Sequence, residues 1–178
     1  PHHIGVVGTP PSAAGWAGVR YCLHPALSDG PVSVTAEGEK MSGIFAVVSK
    51  DNCQNDLFYG TDYHSHLGTQ FAGLAVWGKE LMRKIHDIRG SQFKAKFFED
   101  YKKMQGHIGI GVISAIDEQP ICINSKFGPF AIVTNGFIDN ANELAGQLYK
   151  EGQSFSEVTE GTVNLTELVA KLIIRGKT

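Results

Sequence analysis

From residue 42 onward, short apolar runs of strand type alternate with helical segments, and this order limits the folds open to the chain. Gly43-Ile-Phe-Ala-Val-Val48 is the first run and Phe71-Ala-Gly-Leu-Ala-Val-Trp77 the second, with a further strand near Leu81 to His86. Three strands then follow quickly, at Ile108–Ile113, Ile121–Asn124 and Phe130–Thr134. Asp51 and Asn52 offer N-caps for a helix whose inner face carries Cys53, Leu57, Gly60 and His64. Phe93, Phe97, Tyr101 and Met104 fall on one face of a second helix, at helical spacing. Asn140 with Glu143, and Asn164 with Glu167, place an acid three residues after a capping side chain and predict two more helices. Their core faces are Ala141, Leu144, Ala145 and Leu148, then Leu165, Leu168, Val169 and Leu172. Strands interleaved with helices in this way fit layered sheets covered by helices.

Composition narrows the function classes. A hydrophobic content of 42% with 19% charged residues belongs to a globular chain, and 178 residues suffice for one sizeable core. The net charge of −2 supplies no basic field for nucleic acid or anionic membrane, so neither partner is expected. No apolar run approaches the roughly 18 residues of a membrane helix. The first residues lack the basic start and apolar stretch of a secretory signal. Cys22, Cys53 and Cys122 are widely spaced and form no CxxC pair, which predicts free, buried thiols and a reducing cytoplasmic setting.

The first 40 residues read differently. They are rich in glycine, proline and alanine, carry only Arg20, Asp29, Glu37, Glu39 and Lys40 as charges, and show no sustained periodicity. His2-His3 is too little for a metal site. We therefore expect residues 1–41 to be an unassigned leader, tag or upstream-reading segment, disordered, with Met41 as initiator. The domain proper is expected over 42–178, truncated at its C-terminal end.

Ser42 is the first residue with chemical interest. A small residue after an initiator Met can become N-terminal, and an N-terminal nucleophile uses its own α-amino group, of pKa about 7.7–8, as general base. Gly43-Ile44-Phe45 would give it a tight seat at the start of a strand.

Six segments carry a family resemblance. Ser42-Gly-Ile-Phe-Ala-Val-Val48 is similar to the Cys-Gly-Ile-Phe-Gly start of class II glutamine amidotransferases, above all those of amidophosphoribosyltransferase type. His64-Ser-His66-Leu67-Gly68, with Ala72-Gly73 after it, resembles the His-Arg-Gly…Ala-Gly-Ile segment. Gly109-Ile-Gly111-Val-Ile-Ser114 is similar to the Gly-x-Gly-His-x-Arg-Tyr strand, and Gln119-Pro120 to a Gln-Pro pair. Val133-Thr134-Asn135-Gly136 through Asn140 to Glu143-Leu144 resembles His-Asn-Gly-x-Leu-x-Asn-x-x-Glu-Leu. Thr159-Glu160-Gly161-Thr162 takes the place of Thr-Ser-Asp-Ser/Thr.

The resemblance implies an α+β fold, the four-layer αββα Ntn-hydrolase sandwich. It implies a nucleophile at Ser42 and oxyanion-hole donors from the Asn135 side chain and the Gly136 N–H. A plain turn is the other role open to Asn-Gly. His64 and His66 read as helix-end packing and capping groups rather than metal ligands, and no metal or cofactor is expected in this domain. A phosphoribosyltransferase domain is expected C-terminal to it. Mg2+ would belong to that domain, and the whole would be a homo-oligomer in purine biosynthesis.

The departures predict lost activity. Serine replaces the family's cysteine, which is the better nucleophile. Leu67 replaces an arginine. Ser114 stands where an arginine forks onto the glutamine carboxylate, and Gly161 where an aspartate binds its ammonium. Each missing charge-assisted bond removes about 1.5–3 kcal/mol, and two of them imply roughly a hundred-fold loss of binding. The domain is thus expected to be structural or regulatory. The alternative is an amidohydrolase that uses Ser42 on a non-glutamine amide.

Overall fold

The computed structural model describes residues 3–8, 42–67, 70–159 and 162–176. Two antiparallel sheets lie face to face with helices on both outer sides. One sheet has the order β2 (Gly43–Val48), β5 (Ile108–Ser114), β3 (Phe71–Trp77), β4 (Leu81–Asp87). The other has β1 (His3–Gly8), β7 (Gly128–Asn135), β6 (Ile121–Ser125). Helix α1 (Gln54–Asp62) covers the first sheet and α4 (Leu165–Arg175) the second, with α3 (Ala141–Lys150) against α4. The layers are α, β, β, α, as the resemblance implies.

Strand alternation builds these layers residue by residue. On β5, Ile110 and Val112 face the other sheet, where they meet Ala131 and Val133 of β7. Ile113 faces α1 and joins Leu57, Phe58 and Leu74. Between them Gly109 and Gly111 leave room for the helix. A Cβ on Gly109 would stand 2.8 Å from Leu57 Cδ2, and one on Gly111 would overlap Thr61 Oγ1. β3 is buried on both faces because it lies inside its sheet, between two layers. On the far side, Phe130 and Ile132 of β7 pack with Ile121 and Ala170.

Several expectations need correction. Residues 3–8 lie in the segment expected to be disordered, yet they form β1, paired from His3↔Asn135 to Gly8↔Phe130. A short run with Ile4, Val6 and Val7 is enough to complete the edge of a sheet. Residues 9–41, including Cys22, lie outside the described residues.

The single helix expected over Phe93 to Met104 is broken. It comprises α2 (Phe93–Phe97) and a 3-10 turn at Tyr101–Lys103. Phe93, Phe97 and Met104 are still buried. Side-chain anchors account for the break: Tyr101 stacks on Phe58 at 4.1 Å between centroids, and Asp100 accepts from His86 Nε2 at 2.7 Å.

At α1 the N-cap is Cys53, and Asn52 Oδ1 instead accepts from Gln54 N and Gly106 N. Asn140 makes no capping hydrogen bond, whereas Asn164 Oδ1 accepts from Glu167 N at 3.0 Å. The Glu167 carboxylate turns away to accept from Ser156 N and Glu157 N. A small hairpin, β8 (Val158–Thr159) with β9 (Thr162–Val163), adds to the expected elements.

Candidate functional site

Four of the sequence-predicted positions come together at one end of the two sheets. Ser42 precedes β2 and shares its outward parity with Ile44 and Ala46, so it faces the second sheet. Ser114 ends β5, Asn135 ends β7, and Gly136 follows with φ at 139°, in the region that favours glycine. Ser42, Ser114, Asn135 and Gly136 line one cavity with Asp117, Gln119 and Thr134. Asn135 Nδ2 donates to the Ser42 carbonyl at 3.4 Å, and Ala115 N–H donates to Ser42 Oγ at 3.2 Å. Asn135-Gly136 is not a hairpin turn. It is the exit from β7 into the connection that leads to α3.

Ser114 is buried, and its hydroxyl accepts from Asp117 N at 3.1 Å, from Gln119 Nε2 at 3.2 Å and from Ile116 N at 3.4 Å. Gln119 continues this network into β7: its Nε2 donates to Thr134 O at 3.1 Å and its Oε1 accepts from Thr134 N at 2.7 Å. Asp117 Oδ2 accepts from Leu165 N at 2.9 Å, which sets a carboxylate on the first turn of α4. Asn164 Nδ2 donates to Glu118 O at 3.1 Å, and Thr134 Oγ1 lies 2.6 Å from Thr166 Oγ1. Together these bonds fold the 115–120 connection back over the strand ends. The cavity that remains is about 20 Å3, room for about one water molecule.

Leu67, His64 and His66 are not among the residues that line this cavity. Leu67 ends the 3-10 turn Ser65–Leu67 after α1, and Gly161 lies outside the described residues. His64 is buried over Gly43, where an added Cβ would be 2.6 Å from His64 Cβ. His66 Nδ1 is 2.6 Å from Tyr63 O, at the end of α1. Among the described residues, no three His, Cys, Asp or Glu side chains are grouped to hold a metal ion. No helix among them is long and apolar enough to cross a membrane.

Cys53 is buried and Cys122 half-buried, both as free thiols, and burial pushes each up to about 11. Neither is a nucleophile near neutrality.

Sequence reasoning missed Asp117, Thr134 and Thr166 as members of the site. Their one signal is polarity inside apolar surroundings, as in Ser114-Ala-Ile-Asp117 and Leu165-Thr-Glu-Leu168.

Comparison with known proteins gives a consistent picture. The chain is 29% identical over 147 residues to the amidophosphoribosyltransferase of Methanocaldococcus jannaschii, covering 76% of this chain and 30% of that protein. It is 31% identical over 134 residues to the glutamine–fructose-6-phosphate aminotransferase (isomerizing) of Cyanidium caldarium, covering 69% of this chain and 21% of that protein. Among solved structures, an allosteric regulatory enzyme of purine biosynthesis superposes with a TM-score of 0.66 at 23% identity, over 78% of this chain and 30% of that one. The Bacillus subtilis glutamine phosphoribosylpyrophosphate amidotransferase, complexed with ADP and GMP, gives 0.65 at 24%, over the same shares. These two share the fold. No family model matches the chain. The chain therefore spans about 30% or less of the length of the relatives quoted.

Proposed function

We propose that this chain, which has the fold of a class II glutamine amidotransferase (Ntn-type) domain, serves an amidophosphoribosyltransferase-like protein without releasing ammonia from glutamine. Its role is structural or regulatory. The activity of the whole protein resides in a phosphoribosyltransferase domain beyond Thr178, which takes free ammonia as its nitrogen source. A cytoplasmic setting and a homo-oligomeric assembly belong to the same proposal.

One observation supports silence toward glutamine above the others. At the position where the family resemblance puts an arginine fork, the Ser114 hydroxyl is buried under three N–H donors of its own chain. The cavity beneath Ser42 measures about 20 Å3. Glutamine needs both a cation for its carboxylate and space for its body, and among the described residues that line the cavity there is no cation. Ser42 adds a second difficulty: its nitrogen is a peptide nitrogen for as long as Met41 precedes it, so no α-amine can act as base.

The test is a nitrogen-source assay on the full-length protein, comparing glutamine with ammonium salts. We expect ammonia-dependent phosphoribosylamine formation and no glutamate release from glutamine. Glutamate release that depends on Ser42 would defeat the proposal.

A further inference from the structure

We infer that the face shared by α1 and the 93–103 segment is a contact between two copies of this chain, related by a two-fold axis. Three of the large hydrophobic side chains exposed among the described residues lie there: Tyr59 at 56%, Tyr63 at 64% and Phe98 at 49%. Tyr59 and Tyr63 are one turn apart and share a face of α1. Lys94 joins them to the neighbouring segment, with its Nζ 3.0 Å from Asp62 Oδ2 and 5.9 Å from the centre of the Tyr59 ring. Phe98 is one turn further along, with Lys102 Nζ 3.7 Å over its ring. Exposed rings gathered in one patch mark a contact surface, because covering them removes much apolar area from water.

Charge and level select a second copy as the occupant. α1 carries Asp56 and Asp62 and no Lys or Arg. The 93–103 segment carries Lys94, Lys96, Lys102 and Lys103 against Glu99 and Asp100, and Asp100 is turned onto His86. The patch is therefore acidic along one side and basic along the other. Its two sides also run antiparallel: Phe58 of α1 stacks on Tyr101 at 4.1 Å between ring centres, and Asp62 pairs with Lys94. A two-fold axis laid along and between the sides exchanges them and keeps each level. It sets Asp56 opposite the partner's Lys102, and Tyr59 and Tyr63 opposite the partner's Phe98 and the partner's Lys94. Opposite charges then meet at both ends, and the rings close on one another in the middle. The inference rests on the homo-oligomeric assembly proposed above and names the surface for it.

The experiment mixes two variants of the full-length protein, Asn55→Cys and Lys103→Cys, links them with a short bismaleimide and maps the linked peptides. Unsubstituted protein gives the background from the native cysteines. We expect a link between positions 55 and 103 of different copies, more abundant than 55–55 or 103–103 links. Tyr63→Ser removes an exposed ring and should leave the fold intact, as a thermal melt will show. Placed in both copies, it should lower the yield of the 55–103 link about ten-fold, the scale of a central aromatic residue in an interface. Lys102→Glu should lower it as well, and adding Asp56→Lys to the same chain should restore it. Absence of the 55–103 link, a yield unmoved by Tyr63→Ser, or failure of Asp56→Lys to rescue would each overturn the inference. So would links from position 55 to residues beyond Thr178, which would show the face covered within one chain. Sedimentation of the unsubstituted protein separates the failures: a monomer defeats the assembly as well, whereas an oligomer without the 55–103 link defeats only this surface.

Discussion

Gln119 Nε2 donates to Ser114 Oγ at 3.2 Å, so the 115–120 connection is tied to the end of β5 where the family resemblance places a substrate-reading arginine. Ser114→Ala removes the shared acceptor of this knot and strands buried donors from Asp117 and Gln119. We expect a loss of about 1–3 kcal/mol in urea unfolding. Ser114→Arg should cost more, because a guanidinium does not fit a cavity of about 20 Å3, and it should not restore glutamine turnover. An unchanged midpoint for Ser114→Ala would show that the knot carries no stability.

The closeness of α1 to β5 rests on missing side chains. Gly111→Ala puts a methyl group onto Thr61, whose hydroxyl donates to Leu57 O at 2.7 Å inside the helix. Overpacking of this kind costs about 1–3 kcal/mol. Thr61→Gly in the same chain should recover part of the loss, because the overlapping atoms belong to Thr61 itself. A strictly additive double mutant would refute the steric account.

Much of this architecture is legible in the sequence, for identifiable reasons. β2 and β3 begin and end where their apolar runs do, and β5 and β7 lie within two residues of the expected bounds at either end. Strands buried between layers are written as continuous apolar sequence. What escapes notice is decided by contacts across the chain. β1 is a strand because β7 has a free edge, and nothing in His3–Gly8 names that partner. The helix over 93–104 is broken by Asp100 reaching His86, a contact between separate elements. At the site, Ser42, Ser114, Gln119, Asn135 and Gly136 stand out through their similarity to family motifs, whereas Asp117 matters because the 115–120 connection folds back. No local spacing encodes that fold-back.

Arg83 of β4 joins two walls of the same end of the fold. Its Nη1 donates to Pro120 O and its Nη2 to Glu157 Oε1, each at 3.1 Å. Arg83→Met keeps the apolar stem but frees the 115–120 connection and the segment leading into β8. We expect faster amide exchange at Glu157 and Leu165 with a loss of global stability below about 1 kcal/mol, since the ion pair is partly exposed. Exchange unchanged at both amides would sink this assignment.

Asp100 contributes to the acid limb of stability. Burial alone would raise its pKa, but the hydrogen bond from His86 and the charge of Lys84 outweigh burial and hold the carboxyl below its ordinary value. A depressed carboxylate contributes stability that is present above its unfolded pKa, about 3.9. That stability is lost as pH falls through the folded value. Asp100→Asn should therefore be less stable than the parent at pH 6, with the gap closing below pH 4. A gap that persists at pH 2 would assign the effect to packing instead.

Ser42 offers the most direct test of the proposed silence toward glutamine. If the weak nucleophile were the sole defect, Ser42→Cys on a chain beginning at that residue would supply both a thiolate and a free α-amine. Glutamine turnover would then return. The structure gives a reason to expect otherwise: the cavity beside residue 42 is closed by Ser114, Gln119 and Thr134, none of which the substitution touches. Ser114 and Gly161, where the family resemblance expects charged partners for glutamine, are also left unchanged by the substitution. We expect no glutamate release by Ser42→Cys and no labelling by a glutamine-like electrophile. A small neutral thiol reagent should still label the variant at position 42, showing that the new sulfur is reachable from solvent. Turnover by the single variant would mean that the nucleophile alone had silenced the domain and that the closed cavity opens readily to substrate.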